Sequence, residues 1–297
     1  METNIAPAQI SPVLKSRELR FGTGCIARSL RHDQFSGAID PIISMMHYKN
    51  RETFPAHPVA GVSAVNYYLT DTLGTTSCRD SLGNHIKAGA GDLHWLAAGS
   101  GVLFAHKQPD NLAVSHGIRL LVNLPAPKKF MPPKTTHTPS EAMPVFFDAG
   151  VSVRIVTGET HGISAVFEPP EPFTLLDVTL GPGASFVQTL QAGWGALITV
   201  IEGYAHASAQ GRGSPLPRDC GIGIEAGLAD QSILLRAGLD GAHLIFAAGR
   251  KLNEPIVEMA NFVTNSREQA SQLVADFQAG KLGSIRQTRR KARNVSI

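Results

Sequence analysis

Two strand-like segments, each carrying a histidine, lie about fifty residues apart in the first half of this 297-residue chain. The first spans 54–62 and contains His57, and the second spans 91–106 and ends with His106. Short apolar runs broken by turn residues lie between them. Alternate residues of a β-strand point to the same face, so a small antiparallel barrel brings distant side chains into one interior. The pattern therefore predicts that His57 and His106 share a pocket inside a β-barrel.

Short strands separated by turns are predicted along the rest of the chain as well. The 29 glycines and 19 prolines supply the many turns that such a fold needs. Apolar residues make up 43% of the chain and charged residues 17%, which is ordinary for a globular protein of two domains. Enrichment in β-branched and aromatic residues predicts strands at 42–48, 61–69, 118–124, 151–156, 174–180, 196–201, 232–235 and 242–246.

Segment 125–144 contains six prolines and divides the chain. Proline has no backbone N–H to donate, so this segment cannot form a central strand, and we interpret it as an extended linker between domains. A long loop within one domain is the alternative, but structureless loops of this length are uncommon. Residues 1–19 show little periodicity, which is typical of a loosely attached arm. We predict an N-terminal arm at 1–27, a first barrel at 28–124, the linker at 125–144, a second barrel at 145–263, and a C-terminal helix with a tail at 264–297.

One helix is indicated near the C-terminus. Ser266 is a suitable N-cap, and Gln269 stands three residues later as its capping-box partner. Apolar residues then recur at helical spacing, and Gly280 ends the pattern. We expect this apolar stripe to pack against the outer wall of a barrel. It consists of Ala270, Leu273, Val274 and Phe277.

The formal charge of +3 is too small for a chain of this size to require a nucleic acid or a membrane as partner. Positive charge concentrates at 286–293, where five basic residues occur without an acidic one. Such a run can contact a phosphate backbone, but isolated basic runs are commonly solvated, mobile tails, and we favour that interpretation. No apolar stretch is long enough to cross a bilayer, so no membrane partner is expected.

The three cysteines, Cys25, Cys78 and Cys220, are widely separated and form no Cys-x-x-Cys pair. An odd number of isolated thiols favours a reducing compartment, and residues 1–9 lack the basic start and apolar core of a secretory signal. We therefore expect a cytoplasmic protein. No histidine stands next to these cysteines to activate a thiolate, so catalytic use is not expected.

Five short motifs occur along the chain in one order. They are Phe54-Pro55-x-His57-Pro58, Gly91-Asp92-Leu93-x-Trp95, Ala98-Gly99-x-Gly101-Val102-Leu103, Glu254-Pro255-Ile256-Val257 and Asn261-Phe262-Val263-x-Asn265. Taken together they resemble the pirin family, whose members are two-barrel proteins of the cupin superfamily, and the resemblance covers residues 28–277. It implies an all-β fold of two cupin-like barrels, each a double-stranded β-helix or jelly roll, with a C-terminal helix.

The same resemblance implies a metal site, most often iron, built from His-x-His on the first strand and His-x-Glu on the second. Matched to those positions, this chain keeps His57 and has the apolar residues Val59 and Phe104 in place of two ligands. His106 stands in place of the carboxylate. As metal ligands for a divalent transition metal only His57 and His106 remain, although protein sites normally use at least three. We therefore predict a degenerate metal site, in which these four residues form a pocket with an apolar wall.

An apolar wall beside two imidazoles suits a small apolar or aromatic ligand. The imidazoles would orient a hydroxyl or carboxylate, act as acid and base, or simply be satisfied by hydrogen bonds or water. We predict a pirin-like protein that binds a small molecule or serves as a regulatory protein partner. The resemblance leaves open two alternatives, a quercetin 2,3-dioxygenase-like oxygenase with altered ligands and a transcription-associated cofactor. The sequence leaves enzymatic activity undecided.

Overall fold

The computed structural model describes residues 8–108 and 113–285, and within them the chain folds mainly into antiparallel β-strands. The strands form two successive barrels, so the predicted all-β class with two barrels is confirmed. None of the eight predicted strand segments extends more than one residue beyond an observed strand. Short 3₁₀ helices connect some of the strands, at His32–Gln34, Ala126–Lys128 and Ser140–Ala142.

The first barrel consists of two facing sheets. The strands up to residue 138 are β1 (Gln9–Ile10), β2 (Leu14–Lys15), β3 (Arg17–Phe21), β4 (Cys25–Arg31), β5 (Ile42–Asn50), β6 (Phe54–Val59), β7 (Val62–Tyr68), β8 (Thr76–Asp80), β9 (His85–Ala88), β10 (Leu93–Ala97), β11 (Val102–Lys107), β12 (Ser115–Asn123) and β13 (Lys134–Thr138). A seven-stranded sheet, in the order β13-β10-β7-β12-β5-β4-β3, lies opposite a four-stranded sheet, in the order β6-β11-β8-β9.

The two faces of the seven-stranded sheet have different neighbours. On β12, Arg119 points into the first barrel, whereas Ile118 and Leu120 belong to a buried cluster that also contains Leu175 and Ile245 of the second barrel. This is the two-residue alternation expected of a strand that is covered on both sides. The sheet therefore serves both as a wall of the first barrel and as the contact surface between the two halves.

The second barrel is one curled ten-stranded sheet built around two long strands, β20 (Trp194–Ala209) and β23 (Gln231–Arg250). The elements after residue 144 are β14 (Val145–Asp148), β15 (Val151–Thr157), β16 (Glu159–Thr160), β17 (Ile163–Ser164), β18 (Phe173–Leu180), β19 (Ser185–Leu190), β20 (Trp194–Ala209), β21 (Arg212–Pro217), β22 (Cys220–Glu225), β23 (Gln231–Arg250), β24 (Val257–Met259), β25 (Phe262–Thr264) and α1 (Arg267–Gln278). β23 pairs with β19 along its first part and with β18 along its last part. The segments predicted separately at 232–235 and 242–246 are thus two parts of one strand.

The N-terminal segment is paired rather than loose. β1 and β2 lie antiparallel to β22 of the second barrel, with Gln9 opposite Glu225 and Leu14 opposite Gly221. β3 then pairs with β4 at the edge of the first barrel. The prediction of a loosely attached arm is therefore wrong for residues 8–19, because strands of two residues are too short to show a hydrophobic period.

The proline-rich segment 125–144 follows the edge of the first barrel. Its proline-free part forms β13, which pairs with β10 as the outermost strand of the seven-stranded sheet. An edge position suits a segment of this composition, because prolines on either side of β13 cannot donate to a ladder. The assignment of this segment as the boundary between two domains stays a prediction.

The predicted helix is confirmed as α1. The Ser266 hydroxyl oxygen accepts a hydrogen bond from the backbone N–H of Gln269 at 3.3 Å, as expected for an N-cap. Ala270 and Leu273 are buried, and Leu273 belongs to an apolar cluster that α1 and β25 share with the outside of the first barrel. Phe277, the last member of the predicted stripe, is 40% exposed.

Two further predictions concern what the chain contacts. The basic run at 286–293 lies outside the described residues, so its role as a solvated tail stays a prediction. No helix in 8–108 or 113–285 is long and apolar enough to span a bilayer.

Candidate ligand-binding site

A cavity of about 420 Å³ lies inside the first barrel, between the inner faces of its two sheets. β6 and β11 supply one wall, and β4, β5, β7 and β12 supply the other. Aromatic and aliphatic side chains predominate, among them Phe21, Phe54, Met46 and Leu121, with a few polar groups between them. Small-molecule sites in proteins have this composition.

Both histidines singled out in the sequence line this cavity. β6 and β11 pair antiparallel with Phe104 opposite His57, and His106, two residues after Phe104, lies on the same inner face. Their ring centroids are 6.5 Å apart, and the rings are nearly perpendicular at 85°. His57 Nδ1 lies 3.0 Å from the backbone oxygen of Pro55. A carbonyl oxygen can only accept, so Nδ1 carries the proton and Nε2 keeps its lone pair for a ligand.

The surroundings keep both imidazoles uncharged at neutral pH. Desolvation by burial lowers the pKa of His57 below its usual value and lowers the pKa of His106 to about 3. The positive charge of Arg119 acts in the same direction on both rings. A neutral imidazole offers one donor and one acceptor, so each ring can orient a polar group on a bound molecule.

Val59 and Phe104, which were predicted as pocket residues, do not line the cavity. Val59 is 2% and Phe104 is 1% exposed, and both belong to a packed core cluster in the adjoining part of the barrel. The Phe104 ring stacks on His94, with centroids 5.2 Å apart, and lies 5.9 Å from His57 and 5.6 Å from His106. The barrel interior is therefore divided into a filled end and an open end, and the two apolar replacements occupy the filled end.

Two imidazoles that face a cavity are not a sufficient metal site. The described residues contain no group of three or more histidine, cysteine, aspartate or glutamate side chains placed to hold an ion. Tight sites use at least three protein ligands, and the buried apolar side chains of Val59 and Phe104 add none to His57 and His106. The residues present therefore do not fit the iron site that the family resemblance implies.

Further polar side chains, which the sequence pattern did not indicate, reach the cavity from the opposite wall. Arg119 on β12 stands opposite Asn66 on β7 in the ladder, and Gly117 on β12 stands between Tyr68 on β7 and Tyr48 on β5. Alternate residues share a face, so the arginine, the asparagine and both tyrosines lie on one inner surface. The signal in the sequence that could have revealed this inner surface is Arg119, a charged residue within a mostly apolar predicted strand.

A second polar cluster lies between the two barrels, away from this cavity. Tyr67 of the first barrel donates a hydrogen bond to Asp177 of the second at 2.7 Å, and Asp177 also pairs with His243. Nearby, His116 Nδ1 lies 2.6 Å from Asp71. His243 lies on β23, and its side chain forms part of this contact between the halves.

Comparisons with known proteins agree with this architecture. The pirin family pattern matches residues 26–122, and the pirin C-terminal cupin domain matches residues 175–283. Human pirin is 31% identical over 277 residues, which cover 90% of this chain and 91% of the human protein. A quercetin 2,3-dioxygenase from Acinetobacter baumannii has a TM-score of 0.81 at 21% identity, over 95% of this chain and 100% of that one. The bacterial pirin YhhW from Escherichia coli, in complex with nickel(II), has a TM-score of 0.59 at 15% identity, over 82% and 99% of the two chains.

The two barrels and the cupin-domain match define a bicupin, a chain with two cupin-type domains. The matches to both halves, together with 31% identity over nine-tenths of the chain, go further: the protein belongs to the pirin family. The two solved structures, at 21% and 15% identity, show the shared fold alone.

Proposed function

We propose that this protein is a pirin-like bicupin that binds a small, largely apolar organic molecule in the cavity beside His57 and His106. The cavity itself carries the proposal, because its volume of about 420 Å³ and its walls of Phe21, Phe54 and Leu121 match a ligand site. Pockets of roughly 300–1,000 Å³ with such linings bury most of a bound molecule. A regulatory protein partner, which the family resemblance implies, would then distinguish the occupied state from the empty one.

An oxygenase of the quercetin 2,3-dioxygenase type is the second candidate. It is favoured by the structural neighbour of that name and by the two imidazoles that face one cavity. It is disfavoured by the small number of donors, since Val59 and Phe104 are buried in the core. The candidates differ in turnover. An oxygenase consumes dioxygen in the presence of quercetin and loses this activity on His57→Ala, whereas a binding protein is stabilised by its ligand without turnover.

Thermal unfolding with and without ligand tests the binding proposal. In a panel of two- and three-ring aromatic acids, phenols and amides, we expect compounds that raise the unfolding temperature. A ligand that binds only the folded state stabilises it by about 2.7 kcal/mol at a concentration 100 times its Kd. Leu121→Trp adds a large ring to the cavity wall, and it is expected to weaken binding by about tenfold or more because the space is occupied.

The matched control is Val187→Trp, which adds the same ring to the wall of a separate cavity in the second barrel. This variant is expected to leave the ligand-induced shift unchanged. The proposal fails if no compound of the panel shifts the unfolding temperature, or if Leu121→Trp and Val187→Trp affect the shift equally.

A further inference from the structure

We propose that the ligand of this cavity is an organic monoanion, a carboxylate carried on an aromatic or aliphatic body, which pairs with the guanidinium of Arg119. The inference rests on the proposed function and names the chemical class of the ligand at the same site. It depends on the charges, the unpaired donors and the shape of the cavity.

Arg119 supplies the charge. It lies on β12, the central strand of the seven-stranded sheet, and its side chain lines the cavity. Within the described residues it forms no salt bridge and no side-chain hydrogen bond, and no aspartate or glutamate lines the cavity with it. Tyr48, Tyr68 and Cys78 are close enough to influence it, but burial raises the pKa of all three, so none is negatively charged at neutral pH.

An arginine in this position lacks the partner that such groups normally have. Desolvation of a cation is costly unless an opposite charge or several hydrogen bonds compensate for it. The guanidinium stays protonated in proteins, so the charge of Arg119 cannot be removed by loss of a proton. Its planar fork of N–H donors matches the two oxygens of a carboxylate. A bound carboxylate therefore supplies the counter-charge that the described part of the chain does not.

Two uncommitted donors lie on the same wall. Asn66 lines the cavity and is 4% exposed, yet its amide nitrogen has no hydrogen-bond partner within the described residues. Tyr48 also lines the cavity, and no residue of the described chain accepts a hydrogen bond from its hydroxyl. Buried donors such as the Asn66 amide are nearly always satisfied in native proteins, so an acceptor on a ligand accounts for it, and the half-buried Tyr48 hydroxyl can donate to the same ligand. Together with Arg119 they form a donor surface for oxygen atoms.

The other residues that line the cavity determine which net charge and which apolar body a ligand can have. Because His57 and His106 are neutral, Arg119 is the one cationic group among the described residues that line the cavity. One cation matches a single negative charge, which favours a carboxylate over a doubly charged phosphate. Phe21 and Phe54, with ring centroids 6.0 Å apart, and the aliphatic residues around them suit an apolar body. The volume of about 420 Å³ accommodates about two or three fused rings.

Calorimetric titration of the full chain at pH 8 with 2-naphthoate and 2-naphthamide tests the inference. The two probes have the same ring system and similar size, and only the first is charged. We expect naphthoate to bind about tenfold or more tightly than naphthamide, because a charge-assisted bidentate contact is available to it alone. Arg119→Met is expected to remove this preference by weakening naphthoate, with naphthamide affinity unchanged within about twofold. Arg119→Lys is expected to keep part of the preference, because it retains the charge without the fork.

Arg236→Met, at an exposed position of the second barrel, is the matched control and is expected to change neither affinity. Equal binding of the two probes to the unsubstituted protein overturns the anion inference and leaves the binding function standing. Binding of neither probe, together with no active compound in the panel, overturns the binding function itself. A naphthoate preference that survives Arg119→Met also overturns the inference. The comparison of the two probes on the unsubstituted protein needs no variant, so it decides even if Arg119→Met does not fold.

Discussion

Replacing Lys129 with methionine is expected to destabilise the protein by about 3 kcal/mol. The Lys129 side chain is fully buried, and its Nζ donates hydrogen bonds to the backbone oxygens of Gly61 and Val263, at 3.1 and 3.2 Å, and to Asn123 Oδ1 at 2.5 Å. Burial lowers its pKa to about 8, so the ammonium group still carries its charge at pH 7. Methionine has a similar length but leaves three oxygens without a donor where water cannot reach them.

The neighbouring lysine provides a matched control for this change. Lys128 is only partly buried, with its side chain 45% exposed, and its Nζ contacts Glu171 and the backbone oxygen of Pro170, both at 2.6 Å. Exposed ion pairs contribute little, so Lys128→Met is expected to cost less than about 1 kcal/mol. Urea unfolding of both variants gives the two free energies of unfolding. Similar losses in the two variants would show that the buried ammonium does not hold its three oxygens as described.

Substitution of Gly61 by alanine is expected to cost about 3 kcal/mol or more and to lower the yield of folded protein. Gly61 has a φ of +74°, a backbone conformation that residues with a Cβ rarely adopt. An added Cβ would lie 1.8 Å from the backbone oxygen of Val263, which is one of the oxygens that Lys129 holds. A backbone atom cannot move aside as a flexible side chain can, so β25 would have to shift away from the first barrel.

Gly162→Ala separates the conformational cost of a positive φ from the cost of the close contact with Val263. Gly162 has a φ of +76°, almost the same as that of Gly61, but a Cβ there would meet no atom within 4 Å. Only the conformational cost remains, about 1 kcal/mol. The difference between the two variants in the same urea experiment measures the contact with Val263. If Gly61→Ala is no worse than Gly162→Ala, the close approach of β25 to the first barrel is refuted.

Much of the fold could be predicted from the sequence wherever the signal is local. Segment 61–69 combines β-branched and aromatic residues between turns, and it forms β7 with ends that differ by one residue. Ser266 and Gln269 are a local capping signal, and they begin the helix as expected. The common cavity of His57 and His106 followed from strand alternation together with the family resemblance.

The direction of Arg119 and the packing of Val59 and Phe104 could not be predicted from the sequence, because they depend on strand register and on how far the barrel interior is filled. Arg119 is one polar residue in a mostly apolar strand, and its inward direction becomes certain only when its ladder partners are known. Val59 and Phe104 were expected to form a pocket wall because the family has ligands at those positions. In the structure their apolar side chains pack with other core residues, since tight packing of that end stabilises the barrel more than an open wall would.

Segments near the start of the described chain pack on the second barrel, and segments near its end pack on the first barrel. β1 and β2 extend the sheet of the second barrel, while β25 and α1 lie against the first barrel near Ala60. Each barrel is therefore completed by elements that are distant from it in the sequence. A cut within 125–144 would leave two fragments, each with an orphaned terminal element and an uncovered edge. Recombination between relatives at that segment would likewise have to bring both termini along, so the two barrels are not interchangeable modules.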